Sequence, residues 1–318
     1  MSDYIILPMD CRRAMSIMAP QSIHTVVTSP PYFGLRDYGC DGQLGLEPTP
    51  DEFVAALVEV FRSVRRVLRD DGTVWLNLGD SYASKATGSL GGKIALGGGQ
   101  SNQAAALSRP DKSGFGLVEK QLIGIPWRVA FALQADGWYL RQDIIWHKPN
   151  PMPESVRDRC TKAHEYIFLL SKSPKYYFDS MAVREPIAES TKKAYGEKGR
   201  ARSENSRGAA AERNDYNPDA KGDSTFGFST DGKRNRRSVW TVTTKPFKGA
   251  HFATFPPDLI EPCVLAGCPE GGTVFDPFGG SGTTALVALR NRRKAVLSEL
   301  NPEYVDMAHA RMAAQGYV

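Results

Sequence analysis

The stretch TSPPY, residues 28–32, directly follows the β-branched run His24–Val27 and combines groups that could bind a polar ligand. Because Pro30 and Pro31 have no backbone N–H, a strand that reaches them cannot continue its hydrogen-bond ladder, and the chain is held extended and rigid. Free backbone carbonyls, the Ser29 hydroxyl and the Tyr32 ring then lie at the end of a strand, where open α/β sheets bind their ligands. The pattern predicts a functional site.

A glycine-rich turn, DPFGGSGTT at residues 276–284, lies between a predicted strand and a predicted helix. A P-loop would need a lysine after Gly282, where this chain has Thr283, so a nucleoside bearing a carboxylate is favoured over a triphosphate. Glu299 ends the next predicted strand, where adenosine-binding sheets place the acid that holds ribose hydroxyls. Two alternatives stay open: a tight turn that binds nothing, and capping of the last helix by Glu299.

The charge of the chain is concentrated in one segment. The 318 residues carry a net charge of +5, and residues 184–248 hold 15 Lys or Arg against 9 Asp or Glu, so the remainder is close to neutral. A solvated linker and a phosphate-contacting insert both fit this segment, and charge alone favours the linker.

Composition excludes several classes of protein. The sequence contains no run of eighteen apolar residues that could span a membrane, and we expect a soluble, cytoplasmic protein. The five cysteines form no CxxC pair and have no partner cluster of His or Cys, so no metal site is expected.

Strand-like and helix-like segments alternate along the chain, which predicts an α/β fold with a mostly parallel twisted sheet and helices on both faces. One helix has a clear start, with Thr49 as N-cap and Pro50 at its first position, and DDG at residues 70–72 is expected to close it. Another helix is predicted over residues 121–135. Residues 83–115 are low in complexity and are expected to form a mobile loop.

The three segments TSPPY, HFATFPPDLIEPC and DPFGGSGTTALVALRNRRKAVLSELNPEYVDMA, in this order, resemble the β-class S-adenosylmethionine-dependent DNA amino-methyltransferases. In that family the catalytic motif precedes the cofactor motif. The resemblance implies a Rossmann-like methyltransferase fold with circularly permuted motifs. It divides the chain into a catalytic part at residues 1–183, a target-recognition insert at 184–248 and a cofactor-binding part at 249–318.

The resemblance also assigns cofactor-binding residues. Glu299 would hold the ribose of S-adenosyl-L-methionine, Phe255 would pack beside its methionine part, and Asp10 would lie near its adenine. For Phe255 and Asp10, helix packing and capping are the structural alternatives. The methionine part would be held by the glycine-rich turn, through Asp276, Phe278, Gly280, Ser281, Gly282, Thr283 and Thr284.

Methyl transfer to an amine gives the TSPPY motif a chemical purpose. An exocyclic amine of a base is a poor nucleophile because its lone pair is delocalised into the ring. The Pro30 carbonyl and Ser29 Oγ are two acceptors that could hold its N–H bonds and aim the lone pair at the methyl group, while Tyr32 stacks on the base. A covalent nucleophile is not required, and Cys263 follows Pro262 inside a predicted helix, which disfavours methylation of a cytosine ring carbon.

A base inside double-stranded DNA reaches such a pocket only if it is flipped out, and contacts elsewhere must offset that cost. Beside a flipping enzyme, the basic segment 184–248 is interpreted as the target-recognition region. Trp146, Lys148 and Asn150 lie in a segment that resembles the family's strand and loop beside the target base, although a buried Trp at a strand end is the structural alternative. Phosphate or base contacts are expected from Lys233, Arg234, Arg236 and Arg237.

The identity of the methylated base depends on Ser29. In the family, SPPY is associated with N4 of cytosine and DPPY with N6 of adenine, so cytosine is favoured and adenine stays open, because one hydroxyl can accept from either amine. Two other classes remain, an RNA or protein methyltransferase and a DNA-binding protein without activity. No restriction endonuclease is needed as a partner, and the recognition sequence and oligomeric state are not predicted.

Overall fold

The computed structural model describes residues 3–35, 37–84, 117–188, 232–244 and 255–317. Nearly all of the predicted loop at residues 83–115 and most of the basic insert at 184–248 lie outside these ranges. The three-part division of the chain therefore stays a prediction.

An eight-stranded sheet forms the centre of the described structure. Its spatial order is β1 (Tyr4–Leu7), β10 (Lys294–Ser298), β9 (Thr273–Asp276), β2 (Ile23–Thr28), β3 (Leu68–Leu78), β5 (His164–Ser171), β4 (Tyr139–His147) and β8 (Val239–Thr241). The first five strands are mutually parallel, and β5 runs antiparallel to both of its neighbours. Two short strands, β6 (Glu185–Pro186) and β7 (Lys233–Arg234), pair separately.

Helices cover both faces of this sheet, as the alternation of segments predicts. The helices are α1 (Cys11–Ile17), α2 (Pro50–Val67), α3 (Ile125–Ala135), α4 (Pro257–Gly267), α5 (Thr283–Arg290) and α6 (Pro302–Ala313). Helices α1 to α3 pack in one apolar cluster and α4 to α6 in a second. Alternate strand residues face opposite clusters: Val26 belongs to the first and Val27 to the second. The predicted α/β fold is confirmed.

The N-terminus of α2 is capped as its sequence predicts, because the Thr49 hydroxyl accepts from the Glu52 N–H at 3.0 Å. Its C-terminus differs from the expectation. The helix ends at Val67, and β3 begins at Leu68 and runs through DDG, so these residues are strand instead of a closing turn. The register of β3 with β2 shifts at this point: Leu68 lies opposite Ile23, and Thr73 lies opposite Thr25. DDG forms the irregular stretch between these two pairs, so its turn-forming residues make an irregularity inside a strand instead of ending a helix.

Helix α3 begins at Ile125, four residues later than its apolar pattern suggests. The reason is local, because Gly124 adopts the left-handed conformation with φ of 78° and Pro126 occupies the first turn. Among the described ranges, no helix combines the length and apolar character needed to cross a bilayer.

The C-terminal end of α4 packs so closely on the sheet that Gly267 has no room for a side chain of its own. A Cβ atom on Gly267 would lie 2.6 Å from Thr73 Oγ1 and 2.7 Å from both Thr25 Oγ1 and Trp75 Nε1. These three side chains are buried and hydrogen bonded to one another, with 2.9 Å between the threonine oxygens and 3.2 Å from the indole nitrogen to Thr73.

We therefore expect Gly267→Ala to lower the free energy of unfolding by about 1–3 kcal/mol, because the added methyl group must displace α4 or the buried triad. Urea denaturation with a constant m-value measures this change. The control is Glu261→Ala, an exposed position on the same helix, which should stay within about 0.5 kcal/mol of the wild type. Equal stabilities for both variants would contradict the close packing of α4.

Candidate active site

A cavity of about 210 Å³ lies beyond the carboxyl ends of β1, β10, β9 and β2, the edge at which the sequence places both motifs. The wall of the cavity contains most of the residues that are predicted to react or to bind the cofactor: Asp10, Ser29, Pro30, Pro31, Tyr32, Phe255, Asp276, Phe278, Gly280, Ser281, Thr283 and Glu299. Cys40, Tyr38 and Tyr304 line it as well. Gly282 and Thr284 lie behind this wall.

Asp276, at the end of β9, is 1% exposed and connects the two motifs. Its Oδ1 accepts from the Thr28 hydroxyl at 2.6 Å and from the Phe278 N–H at 3.0 Å, and its Oδ2 accepts from the Thr284 hydroxyl at 2.6 Å. Burial raises the pKa of Asp276 to about 6, although these hydrogen bonds act in the opposite direction. Thr284 therefore supports the carboxylate. Thr28, which the sequence analysis did not single out, supports it from the other motif.

The glycine-rich turn is held in shape from both sides. Gly282 is the N-cap of α5 with φ of 79°, and a Cβ on it would lie 3.0 Å from the Cβ of Ala308 on α6. Arg311, also on α6, donates to the Ser281 carbonyl at 3.1 Å and to the Thr283 hydroxyl at 2.8 Å. The sequence analysis missed Arg311, because nothing in the pattern of α6 places one of its basic residues under the turn.

Glu299 follows β10 and is half-buried, and its partial burial raises the pKa of its carboxyl group. Its Oε2 accepts from the Gly280 N–H at 2.7 Å and its Oε1 from the Asn301 N–H at 2.8 Å. Each oxygen keeps a lone pair that can accept from a vicinal hydroxyl. A ribose diol and an amino-acid ammonium group both require acceptors, so the Glu299 and Asp276 carboxylates in this wall fit S-adenosyl-L-methionine.

Asp10 serves as the N-cap of α1, which was the structural alternative for this residue. Its Oδ1 accepts from the backbone N–H of Arg12 at 2.9 Å and of Arg13 at 3.3 Å. Burial acts to raise the pKa of Asp10, but the Arg12 guanidinium and these backbone bonds outweigh it and lower the pKa. Asp10 is still one of the residues that line the cavity.

The Tyr32 side chain is fixed at both its ring and its hydroxyl. The hydroxyl donates to Glu165 Oε2 at 2.7 Å and lies 3.3 Å from Asn77 Oδ1. The ring lies against Gly79, where a Cβ would be only 2.5 Å from Tyr32 Cε2. Burial, followed by the charge of Glu165, raises the pKa of Tyr32 well above its usual value, whereas the Ser29 hydroxyl acts as a hydrogen-bond donor and lowers it.

Glu165 connects this motif to the antiparallel half of the sheet. Its Oε1 accepts from the Lys148 ammonium group, and its Oε2 also accepts from the Asn77 amide at 3.2 Å. The sequence analysis missed Glu165 and Asn77. Polar residues inside the apolar strand runs WLNL and HEYIFLL are the signal that could have indicated them.

The residues predicted to contact the target base have partners within the protein. Trp146 is 3% exposed, and its indole N–H donates to the Val242 carbonyl at 2.8 Å, while Lys148 Nζ lies 4.2 Å from its ring centroid. The ring is packed in the core, as the structural alternative expects, and would have to move to stack on a base. Asn150 exchanges two hydrogen bonds with the backbone of Thr244, at 3.0 and 3.3 Å.

Members of the basic cluster at residues 233–237 also have partners within the protein. Arg234 and Arg237 both donate to Oε1 of Glu185, at 2.9 and 2.7 Å. The guanidinium of Arg236 lies 4.6 Å from the ring centroid of Trp240. Lys233 pairs with Pro186 through the backbone of β7 and β6 and is exposed. DNA contacts by this cluster stay a prediction.

Cysteine chemistry is disfavoured at the site. Burial raises the pKa of Cys11, which lines the cavity, to about 12, and it raises the pKa of Cys263 within α4 further. Both thiols are therefore protonated at neutral pH and are poor nucleophiles.

In the described part of the chain, no three His, Cys, Asp or Glu side chains are grouped so that they could hold a metal ion.

Known proteins are similar to this chain in sequence and in fold. Residues 23–310 match a family model for N6/N4 methyltransferases, described as DNA methylase. The Type II methyltransferase M.Cfr9I of Citrobacter freundii is 48% identical over 295 residues, which cover 92% of this chain and 82% of that protein. M.SmaI of Serratia marcescens, also a Type II methyltransferase, is 46% identical over 303 residues, which cover 95% and 88%.

Solved structures show the same fold at lower identity. The PvuII cytosine-N4-specific DNA methyltransferase superposes with a TM-score of 0.63 at 18% identity, covering 98% of this chain and 88% of its own. A protein of Thermus thermophilus, solved in complex with S-adenosyl-L-methionine, superposes with a TM-score of 0.58 at 21% identity, covering 98% and 94%. The match over residues 23–310, with the two curated relatives, shows that this chain belongs to the N6/N4 DNA methylase family and is a Type II DNA methyltransferase.

Proposed function

We propose that this protein transfers the methyl group of S-adenosyl-L-methionine to N4 of cytosine at a specific site in double-stranded DNA. The observation that carries the choice of base is Ser29, a neutral acceptor at the first position of the Ser-Pro-Pro-Tyr motif in the cavity wall. The cytosine-N4 specificity of the PvuII enzyme, which shares this fold, supports the same choice.

The reaction would be a direct displacement: the amine nitrogen would bond to the methyl carbon while the carbon–sulfur bond breaks. S-adenosyl-L-homocysteine would leave with the bonding electron pair, and the methylated amine would release its extra proton to solvent. When bound, S-adenosyl-L-methionine supplies a methyl group activated by its sulfonium charge. Ser29 Oγ and the Pro30 carbonyl accept the two N–H bonds of the amine, so that its lone pair turns out of conjugation. Because both prolines fix the backbone, these acceptors need no rearrangement during the reaction.

The opposite wall of the cavity binds the cofactor in this proposal. Glu299 accepts from the ribose hydroxyls, Asp276 attracts the amino group of the methionine part, and Phe278 and Phe255 pack beside its carbon chain. Asp276 accepts a hydrogen bond from Thr28, the residue before Ser29. The cofactor wall and the acceptor wall are thereby held at a fixed separation.

Flipping a base out of the duplex costs roughly a few kcal/mol, which contacts outside the cavity must offset. The basic segment 184–248 is the proposed source of those contacts, and Lys233, Arg234, Arg236 and Arg237 are the candidates among its described residues. Since Arg234 and Arg237 already share Glu185, binding of DNA phosphates by this pair would have to compete with that carboxylate.

Two alternatives are kept. Methylation of N6 of adenine would use the same cavity, because Ser29 Oγ accepts equally from either amine. An RNA or protein substrate fits less well, since the family and the curated relatives are DNA methyltransferases.

The test is to incubate the protein with labelled S-adenosyl-L-methionine and duplex DNA of mixed sequence, digest the DNA to nucleosides, and identify the labelled nucleoside by mass spectrometry. We expect N4-methylcytosine. Ser29→Ala should lower the rate at least about 100-fold, because one of two preorganised acceptors is lost. Ser16→Ala, an exposed serine on α1, should leave the rate unchanged. N6-methyladenine would overturn the choice of base, and transfer only to RNA or protein would overturn the DNA substrate.

Asp276→Asn should weaken binding of S-adenosylhomocysteine at least about 10-fold, because the amide cannot attract the ligand's ammonium group. Wild-type affinity should fall as the pH drops through about 6, where Asp276 takes up a proton and loses its charge. Isothermal titration from pH 5 to 8 measures both effects. The control ligand is 5′-methylthioadenosine, which lacks the amino-acid part. If its affinity changed as much, the assignment of Asp276 to the amino group would be wrong.

A further inference from the structure

The carboxylate of Glu165 joins side chains from three segments at the edge of the active site. It accepts from Tyr32 at 2.7 Å, from Asn77 at 3.2 Å and from Lys148. Only 15% of the Glu165 side chain and 18% of the Lys148 side chain are exposed. Since a buried ion pair is often no more stable than an apolar replacement, fold stability is a weak reason for these groups to be here.

The contact with Glu165 fixes the direction of the Tyr32 hydroxyl. An ionised carboxylate can only accept, so Tyr32 must donate its proton to Glu165. Ser29 stands three residues before Tyr32, and both side chains belong to the wall of the same cavity. A fixed Tyr32 side chain therefore fixes part of the surface against which the target base must lie.

The surroundings leave the Tyr32 ring little room to turn. Gly79 lies against the ring, with space for no Cβ, and the side-chain oxygen of Asn77 lies 3.3 Å from the hydroxyl. The Asn77 amide itself is held by the Tyr166 carbonyl at 3.0 Å. The ring and its hydroxyl are thus fixed by residues at the ends of β3 and β5.

We propose that Glu165 is a positioning residue for methyl transfer, which holds the Tyr32 ring and hydroxyl in the cavity wall beside Ser29. This inference rests on the proposed transfer to an amine at Ser29. It assigns to Glu165 the task of fixing the last residue of the Ser-Pro-Pro-Tyr motif.

The test is a double-mutant cycle of Tyr32→Phe and Glu165→Gln, measured as kcat for DNA methylation with saturating cofactor. In Glu165→Gln the single side-chain oxygen is taken by Lys148, because charge-assisted hydrogen bonds are stronger, and the amide N–H₂ group turns toward Tyr32, which can then no longer donate to residue 165. We expect each single variant to lower kcat about 10-fold and the double variant to be within about 2-fold of either, since both changes remove the same hydrogen bond.

Binding of S-adenosylhomocysteine and the thermal midpoint should stay near wild type, which separates positioning from loss of fold. Glu270→Gln, a surface carboxylate paired with Arg292 at 2.9 Å, is the matched control and should retain full kcat. If Glu165→Gln does not fold, Glu165→Met takes its place in the cycle with the same expectation.

A kcat for Glu165→Gln within about 2-fold of wild type would overturn the inference, as would a multiplicative loss of about 100-fold in the double variant. Both results leave wild-type methylation intact and therefore spare the proposed function. If wild-type protein methylates no base, the proposed function fails first and the inference fails with it.

Discussion

The active site depends on one buried carboxylate that joins two parallel strands. Asp276 at the end of β9 accepts from Thr28 at the end of β2, although the two residues are 248 positions apart in the chain. Because a buried acceptor without donors is costly, the hydroxyls of Thr28 and Thr284 and the N–H of Phe278 are held close to it. The acceptor motif and the cofactor motif are therefore parts of one hydrogen-bonded unit.

A second carboxylate, Glu165, does the same for the other side of the cavity. It brings the antiparallel strand β5 and the Lys148 side chain into contact with Tyr32, so that the Ser-Pro-Pro-Tyr segment is held from both halves of the sheet. Glycines complete the arrangement where backbones approach closely, at Gly79 under the Tyr32 ring and at Gly282 against α6. The preorganisation that amine methylation needs thus comes from contacts between distant parts of the chain.

The basic cluster shows how a pattern of residue types can leave a role open. Arginine density in residues 233–237 predicts phosphate contacts, yet Arg234 and Arg237 share Glu185 and Arg236 lies over Trp240. Trp146 and Asn150 likewise have partners on the neighbouring segment 242–244. Local sequence patterns do not identify Glu185 or segment 242–244 as partners, because these approach only when β7 pairs with β6 and β8 pairs with β4.

By itself the sequence determined the alternation of strands and helices, the α2 cap at Thr49, and the two motifs with their order, since these follow from local patterns of proline, glycine and apolar residues. Tertiary structure decided what those patterns could not. It made residues 70–72 an irregular stretch inside β3, placed Thr28 and Arg311 around the glycine-rich turn, and put Glu165 behind Tyr32. The physical reason is that hydrogen-bond partners of buried polar groups are chosen by three-dimensional proximity, which no local pattern encodes.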